Sequence, residues 1–227
     1  VRIVSLVPSV TESLLAWGVV PVAVTRFCEQ PGFATVGGTK DPDLDAIRAL
    51  APDLVVVDEE ENRREDHDAL VAAGVPVHVT AVRAVADVPD MLAALAERVG
   101  ATFDRSTHRR EPVGAVGRRR RVFVPIWKRP WMSLNADTYG SSMLTALGFV
   151  NVLAERDERY PTVTLDAVAT LRPDLVILPT EPYPFAERHR ADLAPLGVPV
   201  VVVDGRDLFW WGTRTADALT RLGAALG

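Results

Sequence analysis

Nine aromatic residues, Trp127, Trp131, Tyr139, Tyr160, Tyr183, Phe185, Phe209, Trp210 and Trp211, fall on predicted strand ends and loops in the second half of the chain. Rings in loops are costly to leave exposed without a use, and flat faces suit a large, flat or amphipathic ligand. They also serve as cover for a core or a lobe interface, and both readings stand for Trp127, Trp210, Trp211, Tyr139 and Tyr160. Enzyme signatures are poor by contrast. No G-x-G-x-x-G follows a predicted strand, and Val36-Gly37-Gly38-Thr39-Lys40 lacks the upstream glycine of a phosphate loop, so it reads as a turn. The histidines His67, His78, His108 and His189 show no metal-ligand pairing and read as surface or strand residues. Cys28, next to Phe27 after a short strand, is either a ligand contact or a half-buried thiol.

The elements that must position these residues alternate as strand and helix, the pattern of parallel sheets with covering helices. Arg2 to Val7 reads as a strand, followed by a helix with Ser9 and Glu12 as a capping box and Gly18 as its stop. Val19 to Thr25, Leu54 to Val57 and Val75 to Thr80 read as further strands. The phrase Leu44–Val57, LDAIRALAPDLVVV, returns as Leu165–Leu178, LDAVATLRPDLVIL, with eight of fourteen positions identical. Gly74-Val75-Pro76-Val77 likewise returns as Gly197-Val198-Pro199-Val200. Two matches in register point to two α/β lobes rather than a solenoid.

The expected organisation is an N-terminal lobe over 1–85, a connector of one helix and a loop over 86–120, and a C-terminal lobe over 121–227. In open parallel sheets ligands gather outside the carboxyl ends of the strands, so the segments following the strands are the candidates. The helix starts at Ser9 and near Thr138 could offer backbone N–H donors to polar edges of a ligand.

A chain of 227 residues with 48% hydrophobic residues can build a sizeable core. Its net charge of −5 argues against a dedicated nucleic-acid binder. Arg105, Arg109, Arg110 and Arg118 to Arg121 lack interleaved aromatics and read as a solvated basic loop. No apolar run reaches the roughly 18 residues of a membrane span. The lone cysteine excludes an internal disulfide. No export segment is recognisable, so the expected location is periplasmic or cell-surface if one was removed, and otherwise cytoplasmic.

The stretches RIVSLVPSVTESLLAWG, GGTKDPDLDAIRALAPDLVVV, EENRRED, AAGVPVHV and RVFVPIW with DTYGSSMLTALGFVNVL resemble the class III periplasmic substrate-binding proteins of ABC importers. These are helical-backbone receptors for vitamin B12, haem and ferric siderophores, and SLVPSVTE is similar to the vitamin B12 branch. The resemblance implies two Rossmann-like lobes with parallel sheets joined by a connector helix, and a ligand cleft between the lobes. It implies a non-catalytic monomer without an intrinsic cofactor, whose ligand is a metal chelate such as cobalamin and whose partner is an ABC permease. The expected ligand contacts are Ser9, Phe27, Cys28, Trp127, Trp131, Tyr139, Tyr160, Tyr183, Asp207, Trp210 and Trp211. Asp207 enters by the resemblance, as an acidic residue after the last strand, and Glu60, Glu61 and Glu181 enter as permease-docking carboxylates. The rival readings are a cytosolic corrinoid-binding protein without a transporter and an enzyme acting on a small metabolite, with Cys28 and Glu12 as its loose candidates.

Overall fold

The computed structural model describes residues 1–28, 32–108 and 119–227, which form two compact units. Unit 1 comprises residues 1–82, 88–108 and 211–213; unit 2 comprises 83–87, 119–210 and 214–227.

In unit 1, β1 (Ile3–Ser5), β2 (Ala23–Val24), β3 (Ala34–Thr35), β4 (Leu54–Asp58) and β5 (Val77–Thr80) form one parallel sheet in the order β3-β2-β1-β4-β5. Its helices are α1 (Pro8–Ala16), α2 (Leu44–Ala49), α3 (Arg64–Ala72) and α4 (Val88–Val99). All five residues of β4 are buried, as expected of a strand covered on both faces. Val4, Leu6, Ile47, Val55, Val57 and Leu70 pack as one core.

Unit 2 holds β6 (Arg121–Phe123), β7 (Trp131–Met132), α5 (Tyr139–Ala146), β8 (Val150–Asn151), β9 (Thr162–Val163), α6 (Leu165–Thr170), β10 (Leu175–Pro179), β11 (Val200–Val203), α7 (Gly205–Phe209) and α8 (Thr215–Leu226). Its parallel sheet runs β11-β10-β6-β8, while β7 and β9 make a separate antiparallel pair. Phe123, Leu153, Val168, Val176, Leu178, Phe185 and Leu193 form its core.

The expected repeat is physical. Ala51 and Arg172, each closing a repeated helix, both take positive φ, 45° and 50°. Asp53 and Asp174 each accept a backbone N–H, from Arg2 and Arg121, at 2.7 Å. The guanidinium groups of Arg2 and Arg121 donate to the carbonyls of Leu50 and Leu171, at 2.8 and 2.9 Å. Asp43 and Thr164 cap α2 and α6 by accepting from Ala46 N and Ala167 N.

Several expectations need correction. Ser9 is not an N-cap: Val7 is, with no side-chain cap, because Pro8 opens the helix two residues earlier and puts Ser9 inside the first turn. The strand expected over Val19 to Thr25 is only Ala23–Val24, since Pro21 has no N–H to give a ladder. The helix that the sequence predicts ahead of Gly197 is formed as a 3-10 helix, Glu187–Leu196, with Pro195 inside it. The connector helix, expected over Met91 to Val99, runs Val88–Val99 and packs in unit 1; residues 109–118 of the expected connector, with Arg109, Arg110 and Arg118, lie outside the described residues. No helix among the described residues is long and apolar enough to cross a membrane.

Candidate functional site

Three segments of unit 1 follow strands and carry candidates. After β1, Ser9 is 7% exposed and its carbonyl accepts from the Ser13 hydroxyl. The Thr11 hydroxyl lies 2.8 Å from the Ser5 hydroxyl and 3.3 Å from Cys28 Sγ. After β2, Cys28 is therefore half-buried against Thr11 and Thr25, while Phe27 is 52% exposed. The Arg26 guanidinium carbon stands 5.1 Å from the Phe27 ring centre, and the same group pairs with Asp41.

After β4 the chain turns on buried polar groups. Asp58 accepts from the backbone N–H of Glu60 at 2.9 Å and from the Thr80 hydroxyl at 2.8 Å. Asn62 returns its side-chain oxygen to Asp58 N and donates to the carbonyl of Thr39. Burial pushes the Asp58 carboxyl above its ordinary range, against the pull of these donors. The turn presents Glu59 and Glu61 as exposed and Glu60 as half-buried, with Lys40 Nζ bonded to the Glu60 carbonyl. Val36–Lys40 is thus a turn as expected; Gly37 sits at φ 86°, and a Cβ there would meet the Asp41 carbonyl at 2.4 Å.

Unit 2 builds the corresponding turns from rings. Trp127, after β6, and Tyr183, after β10, meet edge to face with centres 5.3 Å apart. Tyr183 packs on Phe185 at 4.5 Å, and Phe185 stacks on Trp131 at 6.0 Å and 9°. The outer ring of this cluster, Trp127, is 43% exposed, whereas Phe185 is 2% exposed. His189, expected at the surface or in a strand, is instead 8% exposed in the 3-10 helix, edge-on to both Tyr183 and Phe185. Its Nδ1 accepts the Ala186 N–H at 3.0 Å, which fixes the ring. Lys128 ion-pairs with Asp192 and stands 5.9 Å from the Trp131 ring centre.

A second group of contacts follows β11. The Trp210 indole N–H donates to Glu181 Oε2 at 3.2 Å, and the Arg214 guanidinium carbon lies 5.6 Å from the Trp210 ring centre. Asp207 is 5% exposed and takes bonds from Arg214 at 2.8 Å and from Arg221 at 2.8 and 2.7 Å. Burial alone would raise its carboxyl, but the hydrogen bonds from Arg221 and Arg214 outweigh burial and hold it below the ordinary range.

The structure thus gathers Trp127, Trp131 and Tyr183 into one cluster and Glu181, Asp207 and Trp210 into another. Tyr139 is 5% exposed, its hydroxyl 2.9 Å from that of Thr215, and burial raises it well above a phenol's usual range. Trp211 is 5% exposed and belongs to unit 1; Tyr160, at 39%, is exposed. Arg214 and Arg221 escaped the sequence reading, although their seven-residue spacing places them two turns apart on one helical face. No group of three or more His, Cys, Asp or Glu side chains that could hold a metal ion occurs among the described residues.

Residues 3–109 match the model of a family described as periplasmic binding protein. The vitamin B12-binding protein of Pectobacterium carotovorum subsp. carotovorum (strain PC1) is 25% identical over 222 residues, covering 89% of this chain and 80% of that protein. Among solved structures, the periplasmic vitamin B12-binding protein of Vibrio cholerae superposes with a TM-score of 0.81 at 20% identity, covering 99% of this chain and 96% of the other. A periplasmic haem-binding protein from Pseudomonas aeruginosa reaches 0.79 at 21% identity, with 99% and 91% covered. The resemblance carried by the sequence motifs is borne out: the chain is similar to class III periplasmic binding proteins and to vitamin B12-binding proteins among them, and the family whose model it matches is one of binding proteins.

Proposed function

We propose that this protein is an extracytoplasmic receptor that captures a flat, amphipathic metal chelate, a corrinoid first and haem or a ferric siderophore next, for an ABC importer. The observation that carries the reading is the Trp127–Tyr183 ring pair, which follows two adjacent strands of unit 2 and leaves Trp127 43% exposed. A ring held edge-on by a partly buried neighbour is preorganised, so stacking a ligand on it loses little side-chain freedom. Trp210, half-buried after β11, supplies a second ring, and Phe27 and Cys28 are the corresponding candidates of unit 1. Relatives and structural neighbours are vitamin B12-binding and haem-binding periplasmic proteins, which supports both the ligand class and the compartment. Glu60 and Glu61 of unit 1 and Glu181 of unit 2 are the proposed contacts for basic groups of a permease.

Calorimetric titration with cyanocobalamin tests this. Binding is expected for the unaltered protein, weakened about tenfold by Trp127→Ala, the loss of roughly 1.4 kcal/mol of ring stacking. Absence of binding to cyanocobalamin, haemin and a ferric hydroxamate alike would overturn the reading.

A further inference from the structure

Trp210 is gripped on two sides. Its indole N–H donates to Glu181, and a guanidinium lies over its ring. That guanidinium, Arg214, has a side chain only 13% exposed and is anchored by Asp207. Asp207 in turn receives a two-point bond from Arg221 on α8. A carboxylate with three N–H donors and 5% exposure is committed to these partners. At the other end, Glu181 is seated against the start of α7. Gly205 N–H donates to the Thr180 hydroxyl, and a Cβ on Gly205 would stand 2.5 Å from Glu181 Cγ and 2.6 Å from Glu181 N. The stem of Glu181 is therefore fixed at Gly205, and its carboxylate reaches the residue that closes the same helix, Trp210.

We propose that Glu181, Arg214 and Asp207 act as one positioning chain for Trp210, holding its ring for the ligand instead of touching the ligand themselves. This rests on the receptor reading only in taking Trp210 to face the ligand. It gives both carboxylates singled out in this half of the chain, Asp207 and Glu181, a shared duty: each acts on the ring, one through Arg214 and one directly. Ligand affinity then depends on Glu181 only as long as residue 210 has an N–H to offer.

A double-mutant cycle tests the chain. Cyanocobalamin affinity is measured calorimetrically for the unaltered protein, Glu181→Gln, Trp210→Phe and the double variant. Glu181→Gln is expected to weaken binding about fivefold, the lower end of ordinary coupling between linked groups, and to have no effect in the Trp210→Phe background. An equal effect in both backgrounds overturns the proposal. The second readout needs no ligand. With 15N-labelled tryptophan, the indole signal absent in Trp210→Phe belongs to Trp210. Glu181→Gln is expected to move that signal and leave the other tryptophan signals in place; Asp207→Asn is expected to move it through Arg214. An unmoved signal in both variants also overturns the proposal. Failure of the unaltered protein to bind cyanocobalamin, haemin or a ferric hydroxamate would instead defeat the receptor reading, and the indole signals would still decide whether the chain exists.

Discussion

The turns that follow β4 and β10 sit at the ends of the same repeated sentence and are built from opposite materials. Up to the strands the two copies share their contacts, from the positive φ of Ala51 and Arg172 to the aspartates that receive Arg2 N and Arg121 N. Beyond the strands, unit 1 folds its turn around a buried carboxylate, an amide and a hydroxyl, Asp58, Asn62 and Thr80. Unit 2 folds its turn around Tyr183, Phe185, Trp131 and His189. The helix-to-strand joint is dictated by backbone geometry, since a chain leaving a helix for a buried strand must satisfy its last carbonyls and first N–H groups. At the carboxyl ends of the strands the neighbouring strand meets the backbone's needs, Glu59 N–H donating to the Thr80 carbonyl and Thr180 N–H to the Val203 carbonyl, so side chains there are free to differ. The polar turn presents carboxylates; the aromatic turn presents rings.

If rings hold the second turn together, removing one should be more damaging than cutting the polar network of the first. Phe185→Ala is expected to destabilise the protein by about 3–5 kcal/mol, the range for emptying a buried aromatic site. Asp58→Ala is expected to cost about 1–3 kcal/mol, for the donors left behind in a buried site. Urea unfolding of both variants measures the difference. A larger loss for Asp58→Ala would reverse the comparison, making the polar turn the stiffer of the two.

The frame was legible in the sequence because it rests on local rules. Apolar runs such as Leu54–Val57 and Leu175–Leu178 have few ways to be satisfied other than as buried strands, and Asp43 is a recognisable cap. The exchange of Ser9 for Val7 at the first cap shows where local rules compete, since Pro8 is itself a strong opener of helices. Among the candidate residues, the enrichment of rings in the second half was visible, but their partners were not. Nothing near Trp127 in sequence announces Tyr183, 56 positions later. Asp207 could be flagged as an acidic residue after the last strand, yet its commitment to Arg214 and Arg221 arises from the way α7 packs on α8. His189 was misplaced for the same reason. Its burial is decided by Tyr183 and Phe185, which reach it through the turn after β10.

A smaller effect sharpens the comparison at the point where Glu181 meets α7. Gly205 takes no positive φ, so steric contact alone excludes a side chain there; Gly74, by contrast, has φ 76° and open space where a Cβ would lie. Gly205→Ala places a methyl 2.6 Å from backbone N and 2.8 Å from backbone O of Glu181, atoms that cannot swing aside. The expected cost is about 1–3 kcal/mol of overpacking. Gly74→Ala carries only left-handed backbone strain, about 1 kcal/mol. Thermal unfolding of the two variants decides the order, and an equal or larger loss at Gly74 would show that the turn after β10 yields to the added methyl.

The finest difference between the two regions is in their response to pH. Asp58 is raised, chiefly by burial, so the folded state favours its neutral form. The stability this contributes is full below the unfolded carboxylate value and is lost as pH rises through the folded value. Asp207 is lowered, its burial outweighed by Arg221 and Arg214, so its contribution is present above the unfolded value and is lost as pH falls through the folded one. Asp58→Asn and Asp207→Asn should therefore tilt the stability profile in opposite senses between pH 3 and 7. Relative to the unaltered protein, the first variant gains as pH rises and the second loses. A tenfold difference in proton affinity between the folded and unfolded chain is worth about 1.4 kcal/mol across the profile, enough to separate the slopes by denaturant unfolding at several pH values. Slopes of the same sign would mean that the donors on Asp58 outweigh its burial, and the turn of unit 1 would then hold a charge as firmly as Arg221 and Arg214 hold one in unit 2.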